Sequence, residues 1–236
     1  MRAYQRKQLK HDSFTATAKE TVSWAVDHRT KLIYGGIIAA VVLCIVLGIW
    51  YKTGYQDQAA TAALGRGVEI LNAPLRGAGE PAQPGVESYT SAKERAQAAS
   101  QQLQLVISRY GMTKSAKWAH YFLGLADQDL GDNGAAEREL KSVADSGPKD
   151  IAALGKLALA ALYRDTGRSD EAVKVYQDLI AHPTETVSKS TAQLQLADLY
   201  SAKQPAEAKK MYQQIQKEDP QGPAAEIAAN KLQELK

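Results

Sequence analysis

The hydrophobic residues of this chain fall into two different patterns. An apolar run of 20 residues without a charge occupies 32–51, after a basic N-terminus. At about 1.5 Å per residue, a helix of about 20 residues matches the hydrocarbon thickness of a bilayer. From about residue 56 onward, apolar residues recur at the spacing of amphipathic helices, with almost no alternation typical of strands. The pattern predicts an all-α protein, with one transmembrane helix over 32–51 followed by a long helical domain.

A cleaved signal peptide is the alternative to a retained anchor. The polar region before the apolar run is long, and the run exceeds the usual apolar core of a signal peptide. The residues Trp50-Tyr51-Lys52-Thr53 at its end offer no small-x-small cleavage site. We therefore expect that the anchor is retained.

Basic residues concentrate before the apolar run. Of the 29 Lys and Arg and 26 Asp and Glu in the chain, seven basic and three acidic residues precede Leu32, which leaves 22 and 23. Because Lys and Arg favour the cytoplasmic side of a membrane, 1–31 is predicted to be a cytoplasmic tail that contacts anionic lipid. The near-neutral remainder gives no reason to expect nucleic-acid binding.

The tail itself has a weak periodicity. Phe14, Ala18, Val22 and Ala25 recur at helical spacing. Two interpretations remain open, an amphipathic helix at the inner membrane surface and a disordered basic tail with a chance pattern.

The first segment after the apolar run contains two helices separated by a loop. Helices are predicted over 56–71 and 91–110, and the Pro/Gly-rich stretch 74–88 between them predicts the loop. Ser91 and Glu94 have the spacing of a capping box at the start of the second helix.

The chain then repeats itself with a period in the mid-thirties. Each copy places a small residue (Gly124, Ala160, Ala197) before a second helix with a central Ala and a large apolar residue four positions later (Leu140, Tyr176, Tyr212), and each ends in Pro. These positions resemble the tetratricopeptide repeat (TPR). Asp127 stands where that family often has Tyr, and the third copy replaces the Gly-containing turn with residues 201–205.

The TPR resemblance implies an α-solenoid of helix hairpins. In this interpretation 52–110 is a degenerate first repeat with its loop at 74–88, and 111–222 holds three TPR-like repeats. The remaining residues, 223–236, would form a C-terminal capping helix that closes the stack.

Motifs of catalysis and metal binding are missing from the sequence. The four histidines are scattered, and Gly65-Arg-Gly67 lacks the third glycine and the preceding strand of a dinucleotide site, so we interpret it as a helix-packing or turn feature. An enzyme with its catalytic group in the loop would have only Glu80, Glu87 and Ser88 there, without a base partner. We therefore predict a protein that is not an enzyme and holds no metal or cofactor.

The TPR resemblance also implies a binding surface, because the first helix of each TPR lines a concave groove. An extended peptide or partner helix with apolar anchors suits this mixed surface. The alternative is that Trp118, Leu154, Leu157 and Leu194 belong to the core. The matching groove positions are Trp118, Tyr121, Leu125, Gln128, Asp129, Leu154, Leu157, Arg164, Asp165, Leu194, Asp198 and Ser201.

The layout of tail, single span and external repeat domain resembles the bacterial ancillary subunit of the SecYEG translocon. That resemblance implies a single-pass protein of the bacterial inner membrane, with its N-terminus in the cytoplasm and its repeats in the periplasm, which assists the handover of secreted polypeptides. A tethered adaptor of outer-membrane assembly or cell-wall machinery is the alternative. Both hypotheses leave the partner and the oligomeric state open.

Overall fold

The computed structural model describes residues 29–77, 80–81 and 85–235. The tail periodicity from Phe14 to Ala25, for which two interpretations were open, lies outside these residues. Within them the chain is helical, apart from loops and an isolated β-bridge between Leu75 and Tyr89, so the all-α class is confirmed. The nine helices of the described residues are α1 Arg29–Asn72, α2 Ala92–Tyr110, α3 Lys114–Leu130, α4 Asn133–Ser146, α5 Lys149–Asp165, α6 Ser169–Ala181, α7 Lys189–Ser201, α8 Pro205–Glu218 and α9 Pro223–Glu234.

Two compact units divide the chain at Gly54 and Tyr55. In the first unit, the predicted span 32–51 is helical throughout and belongs to α1. Its described large apolar side chains, from Tyr34 to Leu47, are 52% to 64% exposed. Within the part of the chain that the structure describes, no helix has both the length and the apolarity needed to cross a membrane.

The second unit, Tyr55–Lys236, is a stack of helices. From α2 to α9 each helix packs against the next, while α3 also contacts α5 and α7 also contacts α9. Since neighbours in sequence are neighbours in space and the buried residues of each core cluster come from consecutive helices, this is the arrangement of an α-solenoid.

Two kinds of turn join the paired helices. Gly131 and Gly167 adopt φ values of 80° and 78°, the left-handed conformation that glycine adopts without a steric penalty. The third turn has no glycine in the left-handed conformation. There the backbone N–H of Gln204 donates to the carbonyl of Tyr200 at 2.7 Å, and Pro205 begins the next helix. The turn differs in its geometry, and the helix pair of the third copy forms nonetheless.

The loop between α1 and α2 is closed at its base. The backbone N–H of Arg76 donates to the carbonyl of Tyr89, and that of Tyr89 donates to the carbonyl of Pro74. Ser91 caps α2 through the N–H of Glu94, as the capping box predicts. The Glu94 carboxylate instead accepts the backbone N–H of Thr90 at 2.8 Å, one residue earlier than expected, and the Thr90 hydroxyl also donates to it.

Candidate binding groove

The predicted groove positions lie on α3, α5 and α7, the first helices of the three repeats. Side chains from two of these helices meet around one buried cluster, since Tyr121, Leu154 and Leu157 all pack against it and remain partly exposed. Leu194 is only 9% exposed and belongs to a core cluster. The carboxylates of Asp129 and Asp165 are on exposed residues, and the half-buried remainder comprises Trp118, Leu125, Gln128, Arg164, Asp198 and Ser201.

An aromatic group on α3 dominates the apolar part of the surface. The Trp118 and Tyr121 rings meet edge to face with centroids 6.0 Å apart, and Phe122 lies 6.0 Å from Trp118 in a stacked orientation. Phe122 was not among the predicted groove residues. Such half-exposed aromatic side chains offer large contact areas at a small entropic cost.

The polar part of the surface is held by contacts between side chains. The Arg164 guanidinium donates to Asp165 at 2.8 Å and to Gln195 of α7 at 3.3 Å, which joins α5 to the next first helix. Asp198 accepts a hydrogen bond from the Tyr212 hydroxyl. Burial and the Asp198 carboxylate both raise the pKa of that hydroxyl.

A position one turn before the small residue makes a polar bridge within each repeat. His120 Nδ1 lies 2.5 Å from Glu139, and Lys156 donates to Asp178 at 2.6 Å. Gln193 donates to Glu218 at 3.4 Å. Each bridge joins the two helices of one hairpin. The described residues contain no group of three or more side chains that could hold a metal ion.

A charged network joins the first clear repeat, formed by α3 and α4, to the second, formed by α5 and α6. Arg168 lies 2.6 Å from Glu137, pairs with Glu171 and stacks 4.1 Å above the Tyr163 ring centroid. The hydrogen bonds from Arg168 and Lys141 lower the pKa of Glu137 to about 2. Because this carboxylate stays ionised at neutral pH, its hydrogen bonds to cations favour a structural role at the repeat boundary.

Among the acidic side chains in the part of the chain that the structure describes, Asp127 is the buried one. It is only 7% exposed. Burial raises its pKa from 3.8 to about 6, with a further contribution from the carboxylates of Glu139 and Asp132 and an opposing one from Arg138. The residue therefore carries a charge that its surroundings disfavour.

Three residues at groove positions were missed in the sequence. A Cβ atom on Gly67 of α1 would lie 2.8 Å from Leu103, just as one on Gly124 would lie 2.7 Å from Leu140. This shared contact places 55–72 in the register of a first helix. Gly67 was the residue in the sequence that could have indicated this register. Its packing partner Leu103, however, lies on the other side of the loop between α1 and α2. The register assigns groove positions to Leu64, Val68 and Leu71, all half-buried.

Comparison with known proteins agrees with this geometry. Residues 156–183 and 191–222 match the family model of the tetratricopeptide repeat. Two crystal structures of TPR-like repeats from a Podosopora anserina kinesin light chain, one of them a variant, align with TM-scores of 0.50 at 20% and 21% identity, covering 60% of this chain and 77% of theirs. No curated protein sequence matches the chain. The second unit is thus a helical solenoid in which residues 156–183 and 191–222 match the tetratricopeptide repeat.

Proposed function

We propose that this protein is a membrane-anchored TPR scaffold that binds polypeptides or protein partners on the outer, periplasmic side of the inner membrane. The observation that carries the binding function is the row of half-exposed apolar side chains on successive first helices, which includes Trp118 and Tyr121 of α3. TPR domains typically bind protein or peptide partners, and aromatic side chains in a groove supply much of the binding energy in such complexes.

The anchor rests on the uncharged run 32–51 and on the exposure of its side chains. Large apolar residues such as Ile38 and Leu43 are 64% and 57% exposed. Each Å² of apolar surface kept in water costs about 25 cal/mol, so lipid or a partner helix is needed to cover this segment. The excess of Lys and Arg before Leu32 supports a cytoplasmic N-terminus.

The anchor is tested by alkaline extraction and by a reporter fused to the C-terminus. We expect the full chain to stay in the membrane fraction and a periplasm-only reporter to be active. Replacing Val42 and Val46 with Arg adds about 2.5 to 3.5 kcal/mol per charge at the centre of the span and should release the protein. Gln58→Arg, at an exposed position of the same helix, serves as the control. A wild-type chain released by alkali would contradict the anchor.

Assistance to secreted polypeptides beside the Sec translocon is the specific role that we propose. It rests on the resemblance in layout between this chain and the ancillary translocon subunits. The alternative is an adaptor for outer-membrane assembly or cell-wall machinery. Both roles use the same groove and differ in what the groove holds.

Photo-crosslinking in intact cells separates the two roles. A photoreactive residue replaces Tyr121 or Leu157 in the full chain, and the captured proteins are identified by mass spectrometry. Leu105, 48% exposed on α2, provides a control position outside the groove. Secreted polypeptides or translocon subunits would support the Sec role, and a fixed set of envelope-assembly proteins would support the adaptor. Equal capture from Leu105 and from the groove would contradict both.

A further inference from the structure

The groove continues onto the helix that follows the apolar run. Gly67 and Leu103 repeat the contact of Gly124 and Leu140, which fixes the register of residues 55–72. A hydrogen bond of 3.1 Å between the hydroxyls of Thr61 and Ser115 joins this part of α1 to α3. Four first helices, rather than three, therefore stand side by side along the groove.

The chemistry of the groove changes along this row. The helix of 55–72 presents Leu64, Val68 and Leu71, which are aliphatic and half-buried. At the corresponding positions α3 has Tyr121, Leu125 and Gln128. On α5 these positions are Leu157, Ala161 and Arg164, and on α7 they are Leu194, Asp198 and Ser201, so polar side chains become more frequent along the row. An occupant meets an apolar surface at one end of the row and a polar surface further along.

The polar surface has a negative charge. Asp129 and Asp165 are exposed at the C-terminal ends of α3 and α5, where the helix dipole is also negative and a carboxylate is unfavourable. Among the groove positions of the described helices, Arg164 is the one cation, and Asp165 and Gln195 already accept its hydrogen bonds. The carboxylates of Asp129, Asp165 and Asp198 outnumber this guanidinium, and a cation brought by a partner would complement the net negative charge of the groove positions.

We infer that the groove binds an extended polypeptide segment in which a group of aliphatic side chains is followed by a Lys or Arg. The aliphatic side chains lie on Leu64, Val68 and Leu71 and on the α3 aromatic group, and the cation lies between the carboxylates of Asp129 and Asp165. This inference rests on the proposed peptide-binding function and specifies the chemistry of the partner.

The test is fluorescence anisotropy with the full chain in detergent micelles and three fluorescein-labelled peptides. The peptides share one aliphatic sequence and differ at a single position, which is Lys, Gln or Glu. We expect the Lys peptide to bind about fivefold more tightly than the Gln peptide, and the Glu peptide to bind more weakly than both. The preference should decline with added salt.

Variants separate the two parts of the surface. Replacing Asp129 and Asp165 together with Asn should remove the preference for Lys, whereas Asp145→Asn, at an exposed position of α4, should preserve it. Val68→Thr should lower the affinity for all three peptides by about threefold and keep the order of their affinities. Val86→Thr in the exposed loop should leave the affinities unchanged.

The outcomes distinguish this inference from the function on which it rests. Equal affinities for the Lys, Gln and Glu peptides would overturn the inference and leave peptide binding intact. A preference for Lys that survives the double Asn variant would overturn it as well. The absence of binding by any peptide would overturn both the inference and the proposed groove.

Discussion

Gly67 of α1 contacts Leu103 of α2 at a distance that leaves no room for a side chain, because a Cβ atom on Gly67 would lie 2.8 Å from Leu103 Cδ2. Gly124 and Leu140 have the same relationship in the first clear repeat. The small residue lets two helices approach and the large one fills the space between them. The contact makes the segment around the Pro/Gly loop a repeat in its packing, although its spacing in sequence is irregular.

Gly67→Leu should destabilise the second unit by about 1–3 kcal/mol, because the added side chain collides with a fully buried leucine. The free energy of unfolding, measured in urea with the full chain in detergent, checks this. Gly65→Leu is the matched control, since a Cβ there would meet nothing within 4 Å. That control should be stabilised slightly by its higher helix propensity. Equal losses from both variants would contradict the packing role of Gly67.

The two buried tyrosines Tyr176 and Tyr212 should respond differently to the loss of a hydroxyl. The Tyr212 hydroxyl donates to Asp198, while that of Tyr176 has no hydrogen-bond partner among the described residues. Tyr212→Phe should therefore cost about 1–2 kcal/mol of unfolding free energy, and Tyr176→Phe should be neutral or slightly stabilising. Chemical denaturation of the two variants measures the difference. A larger loss for Tyr176→Phe than for Tyr212→Phe would refute it.

Asp127→Asn should raise stability at neutral and higher pH. The folded chain holds the proton of Asp127 more tightly than the unfolded chain, with a pKa raised from 3.8 to about 6. Its contribution is therefore most favourable below the lower value and is lost as pH rises through the upper one. We expect a gain of about 1 kcal/mol at about pH 8, because solvent screens part of the repulsion, and no gain at about pH 4.

Thermal unfolding at several pH values measures the contribution of Asp127. Asp129→Asn, an exposed position on the same helix, provides the control and should show no such dependence. A gain for Asp127→Asn that is equally large in acid would show that the charge of the buried carboxylate is not its source.

Arg168→Ala should lower the free energy of unfolding, measured by chemical denaturation, because it weakens the boundary between the first two clear repeats. It removes the paired contacts to Glu137 and Glu171 and the stacking on Tyr163. The pKa of Glu137 is lowered to about 2, so its contribution is present above its unfolded pKa of about 4.5 and is lost as pH falls toward 2. The effect of Arg168→Ala should therefore shrink in acid. Lys174→Ala, at an exposed position of α6, should have little effect at any pH.

The register of the three later repeats could be read from the sequence because the small and the large residue of each pair lie close together. Gly124 precedes Leu140 by sixteen residues, whereas Gly67 precedes Leu103 by thirty-six. The loop between α1 and α2 accounts for the longer spacing. A search for repeats of fixed length does not detect a pair of residues that such an insertion separates. For that reason Leu64, Val68 and Leu71 were not recognised as groove residues.

The contacts of the charged side chains could not be read from the sequence. Asp198 was assigned to the groove, but its carboxylate accepts the hydroxyl of Tyr212 on the second helix of its own repeat. Asp127 was noticed as a departure from the repeat pattern, and its burial beside Glu139 became visible only in the structure. Both contacts depend on how two helices cross, which residue spacing along one helix does not specify.

Under the proposed function, the row of first helices binds polypeptide. The most direct test is the affinity of the full chain, in detergent, for a polypeptide identified by crosslinking from Tyr121, measured by isothermal titration. Trp118→Ala should weaken this binding by about tenfold or more while thermal unfolding stays close to that of wild type, and Leu105→Ala should bind as wild type does. Unchanged affinity of Trp118→Ala, or an equal loss in Leu105→Ala, would contradict the groove as the binding surface.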